Sequence, residues 1–474
     1  MIKFGTAGWR AVISDEFTID NVKLVTQAIA NYLKEEAIGD KQQVVVGYDT
    51  RFMSENFAKV SCRVLAANGI KALITIRDVP TPAFAYEILE RRTSGGINFT
   101  ASHNPPEYNG IKFSPSWGGP ALPETTDAIE KNCVLLMEGK SPIRDISWEE
   151  GKEEGLIEYV DPRPGYIKRV SQLVNLQEIK RARLKVAVDL MHGTGRDYLE
   201  AVLKEAGCEV KVLHNWRDVL FGGSPPEPSL AYLRELVNTV KEEKCDLGLA
   251  TDGDSDRFGI VDRDGTFISP NQVLALLLNH LAKSRNWKGV VARSVMTTSF
   301  IDAIAKIYDI QVKETPVGFK YIAQVMRQNG MVIGGEESGG LTIRGHIPEK
   351  DGILACLLIA EMVACEGKSI AEILDGLYRK VGLFLSERIN FHLREDEMET
   401  LKARLRKDLP REIAGLKVER IVELDGLKFL LADGSWLGIR LSGTEPVARL
   451  YVEAHGRGEL EKLKEAGKKL IGKR

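Results

Sequence analysis

One short stretch of this sequence places a serine beside residues that could make it a nucleophile. Ser102 is followed directly by His103, and Lys112 lies ten residues further on. A serine hydroxyl is a weak nucleophile until a neighbouring base accepts its proton. Residues 95–100 form a short strand-like run, so Ser102 is predicted on a loop at the carboxyl end of a strand, where open α/β sheets bind ligands. The alternative is a polar turn with a solvated histidine.

A second loop carries three alternating carboxylates, at Asp252, Asp254 and Asp256. Three carboxylates this close repel one another unless a cation lies among them, and hard oxygen ligands suit Mg²⁺ or Ca²⁺. An EF-hand loop also begins with alternating aspartates, but it needs Gly at its sixth position and Glu at its twelfth, where this chain has Arg257 and Arg263. The pattern therefore favours a catalytic Mg²⁺ site that is open to a phosphate oxygen over a solvated acidic turn.

Two later loops carry groups that suit a sugar phosphate. Glu336 and Ser338, in a glycine-rich stretch, offer an acceptor and a hydroxyl that match vicinal sugar hydroxyls. Arg440 and Arg449 flank a loop that also contains two hydroxyls and Gly443. Arginine forks, hydroxyls and exposed backbone N–H groups are the parts of a phosphate cradle. A flexible surface loop and a polar hairpin tip are the respective alternatives.

The first residues contain another candidate phosphate ligand. Arg10 follows two glycines, Gly5 and Gly8, before any helical pattern begins. Glycines allow a backbone to approach a ligand closely, and an arginine can bind a phosphate with two N–H groups. The alternative is a tight turn with a surface arginine.

The elements that must position these loops alternate between strand and helix over most of the chain. This alternation predicts α/β domains, and a chain of 474 residues is too long for one core. Residues 259–267 are predicted to form a hairpin that opens a third strand–helix run. Beyond it the pattern changes to short antiparallel strands and two helices, which indicates a smaller α+β domain. The predicted domains are residues 1–150, 151–257, 258–372 and 373–474.

The composition excludes several classes of protein. The net charge of −2 gives no electrostatic case for nucleic acid or an anionic membrane. None of the six cysteines forms a Cys-x-x-Cys pair, which is typical of reduced residues in a cytoplasmic protein. The first residues have no signal-peptide apolar region, and the longest apolar runs are far too short to span a bilayer. We therefore expect a cytoplasmic protein with small-molecule partners.

Four of these motifs together resemble a known family. They are Thr-Ala-Ser-His-Asn-Pro at 100–105, Asp-Gly-Asp-Ser-Asp-Arg at 252–257, Gly-Glu-Glu-Ser-Gly at 335–339 and Arg-Leu-Ser-Gly-Thr-Glu-Pro at 440–446. In this order they are similar to the α-D-phosphohexomutases, the phosphoglucomutase/phosphomannomutase family, over essentially the whole chain. The resemblance implies three related α/β domains with mixed sheets and a C-terminal α+β domain like the TATA-binding protein, around a central cleft.

The resemblance also implies roles for individual residues. Ser102 would be the phosphoserine and, with the three aspartates, a Mg²⁺ ligand. The residues near the transferred phosphoryl group would be Arg10, His103, Lys112 and Arg257. The residues that bind the sugar would be Thr315, Gly318, Lys320, Glu336, Ser338 and Lys350. The residues that bind the non-reacting phosphate would be Arg440, Ser442, Gly443, Thr444 and Arg449.

The chain departs from the family pattern at Gly340. Phosphomannomutase-type loops often carry a histidine there, and we interpret His346 or Lys350 as its replacement. Glu337, the 315–320 loop and the Lys-Asp-Gly at 350–352 look more like phosphoglucomutases.

The resemblance implies a phosphohexomutase that interconverts hexose 1-phosphate and hexose 6-phosphate, with glucose phosphates as the expected substrates. The reaction would pass through a phosphoserine enzyme and a 1,6-bisphosphate, with glucose 1,6-bisphosphate as activator and Lys112 or His103 as general base. Phosphomannomutase and phosphoglucosamine mutase are the alternatives within the family, and a non-catalytic sugar-bisphosphate-binding protein is the alternative outside it. A monomer or a small homo-oligomer is expected.

Overall fold

The computed structural model describes residues 2–5, 8–36, 42–328, 330–407, 409–441 and 447–472. Within them the strands form four sheets that follow one another along the chain. In the same residues, no helix has both the length and the apolar character needed to cross a membrane.

The first sheet is mixed and has the strand order β1-β5-β4-β2-β3-β6. Four of its strands are parallel, and the strand that follows Ser102 runs antiparallel to the strand before it. The strands are β1 (Trp9–Val12), β2 (Gln43–Tyr48), β3 (Lys71–Thr75), β4 (Gly95–Phe99), β5 (Tyr108–Pro115) and β6 (Ile157–Val160). The helices are α1 (Ile19–Glu35), α2 (Ser54–Ala67), α3 (Thr81–Arg91), α4 (Pro123–Met137) and α5 (Trp148–Glu153).

The second sheet has the order β11-β10-β9-β7-β8. Its strands are β7 (Lys185–Asp189), β8 (Glu209–Leu213), β9 (Leu247–Thr251), β10 (Phe258–Asp262) and β11 (Phe267–Ile268). Its helices are α6 (Arg163–Leu173), α7 (Leu176–Ala182), α8 (Leu199–Glu205) and α9 (Arg234–Glu242). The predicted 259–267 hairpin is present, but it extends this sheet instead of opening the third run. Strand β10 pairs with β9 along its whole length, and a hairpin's own residues do not determine which sheet it joins.

The third sheet has the order β13-β12-β14-β15. Its strands are β12 (Val290–Ser294), β13 (Gln311–Thr315), β14 (Met331–Glu336) and β15 (Gly340–Ile343). Its helices are α10 (Pro270–Arg285), α11 (Phe300–Ile307), α12 (Phe319–Gln328), α13 (Gly352–Glu366) and α14 (Ile370–Val381). Helix α13 is buried over residues 352–363, and apart from Glu361 these residues have no charged side chain, which is typical of a helix enclosed by other elements.

The fourth sheet is antiparallel, in the order β16-β21-β20-β19-β18-β17. Its strands are β16 (Leu385–His392), β17 (Glu412–Ile413), β18 (Leu416–Val422), β19 (Leu427–Leu431), β20 (Trp436–Leu441) and β21 (Val447–Ala454). Two helices accompany it, α15 (Glu395–Lys407) and α16 (Arg457–Ile471). The predicted fold class, three α/β domains with mixed sheets followed by an α+β domain, is confirmed.

The first three sheets repeat one arrangement of four strands. The orders β5-β4-β2-β3, β10-β9-β7-β8 and β15-β14-β12-β13 are equivalent. In each, the second of these strands ends in a loop and the chain returns antiparallel beside it. The Ser102 loop, the triple-aspartate loop and the Glu336–Ser338 loop each occupy this position. The first three domains therefore share one strand topology, as the resemblance implied when it gave three related α/β domains.

Candidate active site

The Ser102 loop and the triple-aspartate loop meet across a domain boundary. Ser102 is 1% exposed, and its Oγ donates a hydrogen bond of 2.9 Å to Oδ2 of Asp252. The same Oγ lies 3.3 Å from Nδ1 of His103. Burial, followed by the charges of Arg257 and Arg10, holds the pKa of His103 well below its usual value. The lowered pKa favours the neutral imidazole, and it also makes this ring a weaker base than an ordinary histidine.

The three aspartates fit a divalent cation. One ligand oxygen from each of Asp252, Asp254 and Asp256 lies within 4.8 Å of the others, and all three residues are buried. Oδ1 of Asp254 and Oδ1 of Asp256 are buried without a hydrogen-bond partner. Burial, together with the neighbouring carboxylates, raises the pKa of Asp252 well above its usual value. A cation among these oxygens would satisfy them and relieve their repulsion.

Two lysines from different domains reach the same carboxylates. Nζ of Lys112, on β5, lies 2.8 Å from Oδ2 of Asp254. Nζ of Lys350, just before α13, lies 2.6 Å from Oδ2 of Asp256. Although burial opposes ionisation, these two ammonium groups hold the pKa of Asp254 well below its usual value. The first three domains therefore all contribute to this cluster.

The Lys350 side chain also packs against Gly340. A Cβ placed on Gly340 would collide with the Lys350 side chain. The lysine stem thus occupies the space that a side chain at position 340 would need. His346, the other suggested replacement, is fully buried, and its Nε2 lies 2.7 Å from Oδ2 of Asp351. Because Asp351 caps α13 through Leu354, the structure places His346 beneath the start of that helix and not in the cleft.

Two arginines lie close to Ser102. Nη1 of Arg10 donates to Oδ1 of Asn104 at 2.7 Å. The backbone N–H of Arg257 donates to Oδ1 of Asp252 at 3.0 Å, whereas its Nε is buried without a hydrogen-bond partner. A buried guanidinium N–H that lacks an acceptor is favourable for an anion. These groups can therefore neutralise a phosphoryl group on Ser102.

The sugar-binding candidates of the third domain are only partly brought together. The backbone N–H of Gly318 donates to Oε1 of Glu336 at 2.6 Å, and burial together with Glu337 raises the pKa of Glu336 to about 7. Ser338 lines a cleft of about 210 Å³ with Glu337 and Arg257. The hydroxyl of the buried Thr315 donates to the carbonyl of Pro316 at 3.0 Å.

Lys320 lies apart from this group. Burial lowers its pKa, and the carboxylates of Glu124 and Asp127 on α4 act against this shift. Its Nζ is 5.3 Å from the centre of the Tyr321 ring. The structure therefore places Lys320 against the first domain.

The fourth domain presents two arginines on adjacent strands. Arg440 on β20 is directly opposite Arg449 on β21, so both side chains lie on one face of the sheet. Nε of Arg440 is 3.0 Å from Oδ1 of Asp425, and Oδ2 of Asp425 accepts a hydrogen bond of 3.0 Å from the N–H of Val317. The other predicted phosphate ligands, Ser442, Gly443 and Thr444, lie outside the described residues.

Sequence reasoning missed two residues that support the site. Thr81 donates from Oγ1 to Oδ2 of Asp254 at 2.7 Å, and its N–H donates to the Asp254 carbonyl at 2.8 Å. Arg51 donates to the carbonyl of Ser102 at 2.7 Å. Thr81 belongs to no motif. Arg51 follows the buried strand β2. Its position just after a strand was the one sequence feature that could have indicated a role near the site.

Four family models match this chain, one for each domain. They describe the α/β/α domains I, II and III and the C-terminal domain of phosphoglucomutase/phosphomannomutase. The matched residues are 1–134, 164–265, 269–381 and 395–469 respectively.

Relatives match over nearly the full length. A phosphoglucomutase/phosphomannomutase of Thermococcus kodakarensis is 31% identical, over 99% of this chain and 98% of that protein. A Thermococcus gammatolerans protein named "Probable phosphoglucosamine mutase" is 30% identical, over the same shares. A solved structure from Thermus thermophilus superposes with a TM-score of 0.84 at 31% identity, over 99% of each chain. The phosphoglucomutase parafusin of Paramecium superposes with a TM-score of 0.83 at 25% identity, over 99% of this chain and 94% of parafusin.

The fold and the site together define a phosphohexomutase-type enzyme, an isomerase that works by phosphoryl transfer. The chain belongs to the phosphoglucomutase/phosphomannomutase family of the α-D-phosphohexomutase superfamily. The family predicted from the four motifs is thereby confirmed.

Proposed function

We propose that this enzyme interconverts glucose 1-phosphate and glucose 6-phosphate through a phosphoryl group carried on Ser102. The observation that carries the proposal is the 2.9 Å hydrogen bond from Ser102 to Asp252, in two loops whose residues also contact four cationic side chains. Those side chains are Arg10, Lys112, Arg257 and Lys350. A serine held beside buried carboxylates and surrounded by cations suits a phosphoryl carrier better than an ordinary surface turn.

In the forward reaction, phospho-Ser102 transfers its phosphoryl group to the free hydroxyl of a hexose monophosphate. The bond between phosphorus and Ser102 Oγ breaks, a bond to the sugar oxygen forms, and the hydroxyl proton ends on Ser102 Oγ. His103 is the residue we favour for moving this proton, because its Nδ1 lies 3.3 Å from Oγ, whereas Nζ of Lys112 is engaged with Asp254. The resulting 1,6-bisphosphate reorients in the active site and returns its other phosphoryl group to Ser102.

The three aspartates would hold Mg²⁺, with Ser102 or its phosphate as a further ligand. When bound, this ion neutralises charge on the phosphoryl oxygens during transfer. Arg10, which binds Asn104, and Arg257, whose N–H binds Asp252, would hold the phosphoryl oxygens in line for attack. Glu336 and Ser338 would bind sugar hydroxyls, and Arg440 with Arg449 would bind the phosphate that does not react.

The preference for glucose rests on the third domain. Glucose and mannose differ only at the 2-hydroxyl, so discrimination depends on the side chains that this group meets. The Lys350 stem occupies the place of a side chain at Gly340, and the Lys-Asp-Gly at 350–352 resembles phosphoglucomutases. Mannose and glucosamine phosphates are the competing substrates, because the names of the relatives include phosphomannomutase and phosphoglucosamine mutase.

A coupled assay tests the proposal with glucose, mannose and glucosamine 1-phosphates, each with Mg²⁺ and catalytic amounts of the matching 1,6-bisphosphate. We expect the highest kcat/KM with glucose 1-phosphate. A higher value for glucosamine or mannose phosphate would reassign the sugar. Tight binding of bisphosphate without turnover of any sugar would indicate the non-catalytic alternative.

The place of the protein in the cell is also part of the proposal. All six cysteines are free thiols, and five of them are buried. Free thiols are typical of a reducing compartment, so we place the enzyme in the cytoplasm with hexose phosphates as its partners. Its oligomeric state stays a prediction.

A further inference from the structure

Arg51 is a fully buried charged side chain directly behind the Ser102 loop. An arginine has five N–H donors, and here each has an acceptor. Nε donates to Oδ2 of Asp49 at 3.2 Å. The other four donors bind backbone carbonyls at 2.6 to 3.0 Å. Those carbonyls belong to Ser102, Asn104, Pro105 and Tyr108.

The loop between β4 and β5 is therefore wrapped around one guanidinium group. Carbonyl groups that point at a common centre repel one another and are costly to bury unless a donor satisfies them. Ser102 itself has a left-handed backbone with φ of +52°, a conformation that persists only where the surroundings hold it. Its N–H is held by Oγ1 of Thr100 at 2.8 Å, and its carbonyl is held by Arg51.

Arg51 is fixed on its other side by the turn that carries it. Oδ1 of Asp49 accepts hydrogen bonds from the Arg51 N–H at 3.0 Å and from the Ser54 hydroxyl at 2.8 Å. Asp49 and Arg51 follow β2, the strand beside β4. The guanidinium thus links the Ser102 loop to the turn after β2, a central strand of the first sheet.

The second domain closes over the same arginine. The centre of the Phe221 ring lies 5.0 Å from Cζ of Arg51, which is the geometry of a cation–π contact. Arg217 donates from Nε to the carbonyl of Thr50 at 3.2 Å and from Nη2 to the carbonyl of Arg51 at 3.4 Å. The second domain also carries Asp252. Because Arg51 contacts both this domain and the Ser102 loop, it fixes the position of Ser102 relative to the acidic cluster.

We propose that Arg51 is the positioning residue that sets Ser102 against the acidic cluster, and that Phe221 secures it from the second domain. Arg51 does not touch the reacting atoms, since its donors are all used on Asp49 and the four carbonyls. The proposal rests on Ser102 being the phosphoryl carrier. A residue that only positions the carrier should control the rate of phosphoryl transfer and leave sugar binding nearly unchanged.

The test compares Arg51→Lys with Phe221→Leu and a matched control, Arg285→Lys. Arg285 also binds a carboxylate, that of Glu361, and also stacks on an indole, that of Trp287, but it lies on α10 away from the site. The measurements are kcat, KM and the rate at which the protein gains a phosphoryl group from glucose 1,6-bisphosphate, followed by intact mass.

Lysine keeps the charge but has three donors without a planar fork, so at least two of the five acceptors of Arg51 lose their partner. We expect kcat and phosphoryl uptake of Arg51→Lys to fall by about 100-fold, as for a displacement of about 1 Å at a reacting group. We expect KM to change little, and hydrogen exchange of the amides at 101–108 to speed up. Phe221→Leu should give a smaller fall in the same direction, and Arg285→Lys should keep the wild-type kcat.

Several results would overturn the proposal. One is an unchanged kcat in folded Arg51→Lys, and another is an equal fall in kcat in Arg285→Lys. A third is a fall in the kcat of Arg51→Lys that matches the fraction of that variant which is unfolded. If Arg51→Lys does not fold, the test depends on Phe221→Leu. An unchanged rate of phosphoryl uptake in that variant would refute the positioning role of Arg51. A wild-type protein that gains no phosphoryl group would instead refute the proposed function.

Discussion

Replacement of Ser102 by alanine separates the chemical role of this residue from its structural one. The hydroxyl is buried and donates to a carboxylate oxygen of Asp252 at 2.9 Å. A hydrogen bond to a charged group contributes about 1.5–3 kcal/mol, so Ser102→Ala should lower the free energy of unfolding by that amount. If Ser102 carries the phosphoryl group, mutase turnover should fall by about 10⁴-fold or more, as when a nucleophile is removed from other enzymes.

Ser369→Ala is the matched control for this change. The Ser369 hydroxyl also donates to a carboxylate, that of Glu372, at 2.8 Å, at the start of α14. Its loss should cost about 1 kcal/mol as a helix cap and leave turnover unchanged.

The assays are chemical denaturation, the coupled mutase reaction and intact mass after incubation with glucose 1,6-bisphosphate. The wild type should gain the mass of one phosphoryl group and lose it to excess substrate, and Ser102→Ala should show neither change. Near-normal turnover in a folded Ser102→Ala protein would refute the reasoning and place the nucleophile elsewhere.

Three further outcomes are expected. Exhaustive chelation should abolish turnover, and Mg²⁺ but not Ca²⁺ should restore it, because three carboxylates leave positions for waters that Mg²⁺ retains; full activity after chelation would contradict this. Arg440→Ala should raise KM about 10- to 100-fold for every hexose phosphate tested, the equivalent of 1.5–3 kcal/mol, and an unchanged KM would remove Arg440 from the phosphate site. His214 donates to Asp189 at 2.8 Å, and this bond raises its pKa. Its protonated form should therefore stabilise the fold below pH about 6.5 and lose this effect as pH rises through the higher folded pKa; a wild-type pH dependence of stability in His214→Gln would contradict the assignment.

The sequence by itself determined the family and the fold class, and it supplied most of the candidate residues of the site. Ser102 with His103 and the alternating aspartates are short patterns in which residue type and spacing carry the meaning. A carboxylate cluster with Arg257 at the sixth position excludes an EF-hand without any knowledge of the fold. The strand–helix alternation likewise depends on local propensity and hydrophobic period.

The tertiary structure decided which candidates meet. Ser102 and Asp252 are 150 residues apart, and their contact depends on how two sheets pack. His346 lies close to Gly340 in sequence, yet it is buried under α13, while Lys350 fills the space beside that glycine.

Only the tertiary structure showed that Arg51 binds the Ser102 loop. Four of its acceptors are backbone carbonyls, and every residue has a backbone carbonyl, so the sequence does not indicate which ones an arginine will bind. A carbonyl becomes a specific partner only when the fold turns it toward a donor. A pattern of side chains therefore predicts what chemistry a loop can do, and the packing of strands and domains decides which atoms do it.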